Sequence, residues 1–149
     1  MRALASSGAG FLLAVLWFDL MFDVQVRGHP EQDLPTEVRG SIAGYYARVT
    51  TAARPMNRLV ATAMVVTIAA LTAELFSDDL PRWRASLALV LTLGAVGLAG
   101  GRTVPNAIRL GRQTDDATGQ SRLARSILSD HLLCFSAILL VLVLQLAPV

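Results

Sequence analysis

The chain contains no lysine: all 13 of its basic residues are arginine, a bias that points to a GC-rich, bacterial coding sequence. Charge of either sign is scarce. Charged residues make up 16% of the chain, against about 25% in an average soluble domain. Apolar residues reach 54%, so the composition suits lipid better than water as the main solvent. The formal charge is only +2, and the arginines are scattered among apolar runs, which argues against nucleic acid as a partner. The lone Cys134 excludes an intramolecular disulfide and, lying in an apolar run, reads as a small core residue. Two histidines, His29 and His131, are too few to suggest haem ligation. Walker, GxGxxG, CxxC, HExxH and GxSxG patterns are missing. ATP-driven transport, dinucleotide chemistry and disulfide chemistry are therefore unsupported.

What the chain does have is four long apolar segments, at about 4–26, 57–76, 84–101 and 127–146. Each approaches the ~20 residues needed to cross a bilayer as a helix. None alternates with the period of two expected of a membrane β-strand, and backbone groups in lipid must be paired within the segment, so helices remain. The first segment follows Arg2 and has no small-x-small cleavage pattern after its apolar run, so it reads as a retained helix and not a signal peptide. The expected fold is all-α: one integral membrane domain over residues 1–149, built as an antiparallel four-helix bundle.

The connections carry the polar residues. The first contains Pro30 and Pro35, then Val38, Ile42, Tyr45, Tyr46 and Val49 at mostly helical spacing, which predicts an interfacial helix between Thr36 and Ala53, ended by Arg54-Pro55. The second is the short SDDLPRW turn. The third is rich in arginine, aspartate and glycine, with a short helix expected after Pro105 and a bend near Gly119. Ten arginines, including Arg58 and Arg102, lie on the side of the first and third loops, and three (Arg2, Arg82 and Arg84) on the other. The positive-inside rule then puts both long loops in the cytoplasm and both termini outside an inner (plasma) membrane.

Within that topology one set of residues stands out. Asp19 and Asp23 lie four apart in WFDLMFDVQ, on one helical face and roughly 6 Å apart along the axis. An aspartate at the centre of a spanning helix costs about 2.5–3.5 kcal/mol on insertion scales, and two so close repel. A proton, a cation or an arginine must relieve them. Arg58, Arg102, Asn106, Asp130 and His131 fall at the same cytoplasmic depth. Three readings stay open: an ion-pair network using Arg58 or Arg102; a proton or divalent-metal site of Asp19, Asp23, Asp130 and His131; or a pocket for the polar end of a small lipophilic molecule. No cofactor is otherwise implied. Tyr45, Tyr46 and Trp83 read as interfacial anchors, and Glu74 as pairing with Arg82 or Arg84 or snorkelling. His29 reads as solvated, and Arg122 and Arg125 as contacts for lipid head groups. Gly94, Gly97, Gly100 and Gly101 read first as close packing within the chain and second as a face for a homo- or hetero-oligomer.

Small residues open the first helix (LASSGAG), an aromatic helix follows in the loop (GYYARVTTAARP), TVPNAIRLGRQ follows the third span and SRLARSILSDHLLC enters the fourth. This pattern resembles the small four-helix membrane proteins that include the anthrone oxygenase-like family, with Val104, Pro105 and Asn106 the best match and His131 next. The paired aspartates lie outside that family's pattern. The resemblance implies the same four-helix membrane fold. It also suggests, as an alternative to ligand or partner binding, a cofactor-independent oxygenase acting on a lipophilic substrate with Asp23 or His131 as base. A third possibility is an accessory subunit of a membrane complex, contacting its partner through Gly94–Gly101.

Overall fold

The computed structural model describes residues 1–29, 33–52, 54–77 and 80–148. Pro30, Ala53, Asp78 and Asp79, on which parts of the loop expectations fall, lie outside the described residues. The described residues contain helices and no strand. Helix α1 is Arg2–Asp23, continued by a 3-10 turn at Val24–Gly28. Helix α2 is Thr36–Ala47, extended by a π-helical turn at Arg48–Ala52. Helix α3 is Arg54–Glu74 and starts three residues before the expected position. Pro55 sits in its first turn, where a missing N–H costs nothing. Helix α4, Arg82–Leu98, passes through a π-helical segment at Ala99–Thr103 into α5, Val104–Arg112. Helix α6 is Ala117–Leu146. Four of the resulting helical stretches, at Arg2–Gly28, Pro55–Glu74, Arg82–Arg112 and Ala117–Leu146, are long and apolar enough to cross a membrane.

The third loop differs most from expectation. The chain reverses at Gln113, whose φ of 53° is left-handed, and not at Gly119. Asp116 then caps α6, its carboxylate accepting from the Gly119 N–H at 2.7 Å. Helix α6 therefore begins ten residues ahead of the apolar run that signals it at Ile127. A cap needs only one short acceptor and gives no hydropathy signal.

Helix α1 packs against α3 and α6, and α4 packs against the same two, so the contacts close a cycle of four helices. Neighbours run antiparallel: Arg2 at the start of α1 reaches the Gln145 carbonyl at the end of α6, while Asp23 at the other end of α1 meets His131. One apolar core, including Ala5, Ala9, Leu12, Leu71, Ala88, Ile138 and Val141, fills the space between these helices. A second, including Leu34, Ile42, Tyr46, Leu110, Ala124 and Ile127, joins α2, α5 and the first turns of α6 at the end that carries Asp23 and His131. The early start of α6 is what makes this second core possible.

Small side chains set the distance between α1 and α3. A Cβ at Gly8 would lie 2.0 Å from Thr67 Oγ1 and 3.2 Å from Thr67 Cβ. Gly8→Ala is expected to cost about 1–3 kcal/mol through overpacking. In detergent unfolding, Gly8→Ala combined with Thr67→Ala should lose less than the sum of the two single changes. The glycines of α4 and of the π-helical segment that follows it behave otherwise. A Cβ at Gly94, Gly97, Gly100 or Gly101 would meet no atom within 4 Å. The packing expected there within the chain is not formed, because α4 turns Ala85, Ala88, Thr92 and Ala95 inward instead.

Candidate functional site

Five side chains from three helices converge at the end of the second core. Helix α1 supplies Asp19 and Asp23, one turn apart as their spacing requires. The expected partners of this pair, Arg58 and Arg102, are not the ones used. Tyr45 on α2 donates its hydroxyl to Asp19 Oδ1 at 2.6 Å, and Tyr46 donates to Asp23 Oδ1 at 2.7 Å. His131 Nδ1 lies 2.6 Å from Asp23 Oδ2. The Tyr46 hydroxyl also comes within 3.5 Å of His131 Nδ1, so Asp23, Tyr46 and His131 form a closed triangle. Asp23 is fully buried and Tyr46 is 2% exposed. The remaining contact is looser: His131 Nε2 stands 3.9 Å from Asp19 Oδ2, beyond hydrogen-bonding distance. The side chains on this edge, Asp19 and His131, are 17% and 10% exposed.

The two tyrosines thus do different work from interfacial anchors. Consecutive helical residues diverge by about 100°, so each reaches its own carboxylate on the facing turn of α1. Phe22 stacks on Tyr45 with ring centroids 4.0 Å apart and 10° between planes, and the Tyr45 and Tyr46 rings meet edge to face at 5.2 Å. These contacts fix both rings. Burial, followed for Tyr45 by the hydrogen bond to Asp19 and for Tyr46 by the charges of Asp23 and Asp19, pushes both hydroxyls well above the ordinary tyrosine range. A raised folded-state value makes the neutral form the stabilised one. That stability is complete below the unfolded tyrosine value of about 10 and declines as pH rises above it. In alkaline titration the wild type should therefore lose stability more steeply above about pH 10 than the Tyr45→Phe/Tyr46→Phe double variant.

Helix α2 is held in place by one close crossing. A Cβ at Gly111 of α5 would lie 2.8 Å from the Ala47 nitrogen and 3.0 Å from the Tyr46 carbonyl carbon. These are backbone atoms and cannot rotate away. Gly111→Ala should push α2 off α5, cost about 1–3 kcal/mol and flatten the near-ultraviolet circular dichroism of the tyrosines. A wild-type spectrum in that variant would show that the crossing does not position them.

Asp130, adjacent to His131, turns to different partners. It is fully buried and accepts from Arg102 through both oxygens, with Nε at 2.9 Å from Oδ2 and Nη2 on Oδ1. Thr103 Oγ1 adds a third bond to Oδ2 at 3.1 Å. Arg102 and Thr103 both lie in the π-helical segment, and π insertions are frequent at functional sites. Asn106 bonds Ser126 at 3.4 Å, apart from the aspartates. Arg58 is exposed and joins neither group. Arg125, expected at lipid head groups, donates to the His29 carbonyl at 2.9 Å, while Arg122 is exposed. No group of three or more His, Cys, Asp or Glu side chains among the described residues is arranged to hold a metal.

Tyr45, Tyr46 and Thr103 are the participants that sequence reasoning missed. The available signal was the tyrosine pair itself, adjacent on a helix that the loop folds back toward the paired aspartates. In comparisons with known proteins, no family model, curated protein or solved structure matches the chain, so a functional reading rests on its own geometry.

Proposed function

We propose that this chain is a multi-pass inner-membrane four-helix bundle, with α2 at the cytoplasmic interface and both termini outside, that binds the hydroxyl end of a small lipophilic molecule at Asp19 and His131. The observation that carries this reading is the 3.9 Å separation of His131 Nε2 and Asp19 Oδ2, the loose edge of an otherwise tightly bonded cluster. A hydroxyl suits that edge in either protonation state of the imidazole. It can donate to a bare Nε2, or accept from Nε2–H while donating to the carboxylate. The apolar body would lie along Phe135, one turn from His131 on α6, and Trp17 of α1, whose ring centroid is 6.3 Å from that of Phe135.

Native mass spectrometry from mild detergent tests the reading. Wild-type protein should carry a discrete excess mass that is lost in Asp19→Asn and in His131→Ala. A bare wild-type mass would count against it. A clean multiple of the chain mass would instead direct attention to the open Gly94, Gly97 and Gly101 face of α4 as an oligomer contact.

A second reading is favoured by the 2.6 Å contact between Asp23 and His131 Nδ1. A carboxylate on one imidazole nitrogen orients the ring and makes the other nitrogen a base. On this reading His131 Nε2 abstracts a proton from a lipophilic substrate, as in a cofactor-independent oxygenase. Turnover of a bound phenolic compound, abolished in Asp23→Asn with binding retained, would favour the enzyme over the binding protein.

A further inference from the structure

The opposite end of the molecule holds a second buried carboxyl group. Glu74, in the last turn of α3, is fully buried, and Gln145, near the end of α6, is 1% exposed. Gln145 Nε2 donates to Glu74 Oε2 at 2.8 Å. The other two oxygens of the pair, Glu74 Oε1 and Gln145 Oε1, are buried and have no hydrogen-bond partner.

Of the two arginines expected to pair with Glu74, Arg84 is bonded elsewhere, as is Arg2 at the same end of the molecule. Arg2 of α1 donates to the carbonyls of Gln145, at 2.6 Å and 3.1 Å, and of Ala147, at 3.2 Å. Arg84 of α4 donates to the carbonyls of Ala147 at 3.4 Å and Pro148 at 3.0 Å. Arg82 is exposed. The two bonded arginines satisfy the free carbonyls at the end of α6, which a helix terminus leaves without intrahelical donors. Neither contacts the Glu74 carboxyl group.

The pair therefore presents two buried acceptor oxygens, each without a donor or a cation. A buried carboxylate with one neutral donor and no cation is costly, most of all at membrane depth. Calcium takes six to eight oxygen ligands and magnesium close to six, far more than the two unpartnered oxygens here. A proton needs only one. Placed on Glu74 Oε1, it removes the buried charge and turns that oxygen into a donor. We propose that Glu74, held by Gln145, is a proton-binding site at the end of the molecule opposite the aspartate–histidine cluster. It uses none of the residues of that cluster and stands whether or not the cluster binds a ligand.

The test is infrared spectroscopy of the whole protein in lipid vesicles at neutral pH, in wild type and Glu74→Gln. The wild type should show a carbonyl stretch of a protonated carboxylic acid that is missing in Glu74→Gln. Labelling with the carboxyl reagent dicyclohexylcarbodiimide, which reacts with the protonated acid, should modify Glu74. Sodium at constant ionic strength should leave the labelling unchanged. Sodium protection would overturn the proton assignment in favour of a monovalent metal ion. A wild-type spectrum lacking the Glu74 band would overturn it as well. If Glu74→Gln fails to fold, Glu74→Asp keeps the carboxyl group and should move the band without abolishing it; a band unmoved in Glu74→Asp would assign it to another residue and overturn the proposal.

Discussion

Asp23→Ala is expected to destabilise the protein by about 3–5 kcal/mol, the range for removing one member of a buried charged pair. Asp23 is fully buried and accepts from two groups at once, the Tyr46 hydroxyl and His131 Nδ1. Its removal leaves both without their principal partner in a place water does not reach. Buried groups stripped of a partner carry the full cost of desolvation, which exceeds the net contribution of an ordinary hydrogen bond. Asp23→Asn should cost less, since one amide oxygen can still accept from one of the two. Denaturant unfolding in detergent measures both variants. An Asp23→Ala protein within about 0.5 kcal/mol of wild type, the usual range for surface changes, would mean that the triangle of Asp23, Tyr46 and His131 does not form.

Arg102→Ala carries the second large effect, about 2–4 kcal/mol. Asp130 has no exposure, whereas the Arg102 side chain is 56% exposed, so the loss falls almost wholly on the carboxylate left behind. Thr103 alone would remain to satisfy it. The double variant Arg102→Ala/Asp130→Leu should recover much of the loss, because removing both members of a buried pair is often close to neutral. A double-mutant cycle separates this from a simple loss of arginine packing: a coupling energy near zero would show that the two residues do not act as a pair.

The four apolar stretches were legible because lipid imposes a simple rule of length and hydropathy, and the helices found differ from the expected ones mainly at their ends. Those ends are where polar chemistry decides. Asp116 starts α6 well before its apolar run, and the π-helical segment Ala99–Thr103 carries α4 on into α5. Both depend on local hydrogen bonding that leaves hydropathy unchanged. That Asp19, Asp23 and His131 come together at one end of the helices was legible too, since a helical hairpin brings residues equally far from a turn to one level. Their pairing was not. Arginine is the obvious counter-charge for an aspartate, yet Tyr45 and Tyr46 take that place because Gly111 lets α2 approach α5 closely and brings both rings over α1. Only the folded loop contains that information. Glu74 shows the same limit at the other end: Arg82 or Arg84 was the electrostatic expectation, but Arg84 is taken by the carbonyls that follow α6.

The hydroxyl site proposed at His131 is most directly tested by nitrogen-15 solid-state NMR of the His131 ring in lipid bilayers. Spectra are recorded before and after the co-purifying small molecule is extracted, with its removal verified by native mass. The expected result is a Nε2 resonance that moves on extraction, while Nδ1 keeps its frequency and its through-space contact with the Asp23 carboxyl carbon. An Nε2 resonance that stays fixed when the molecule is gone would contradict a ligand at this nitrogen and leave the cluster a device for holding α1, α2 and α6 together.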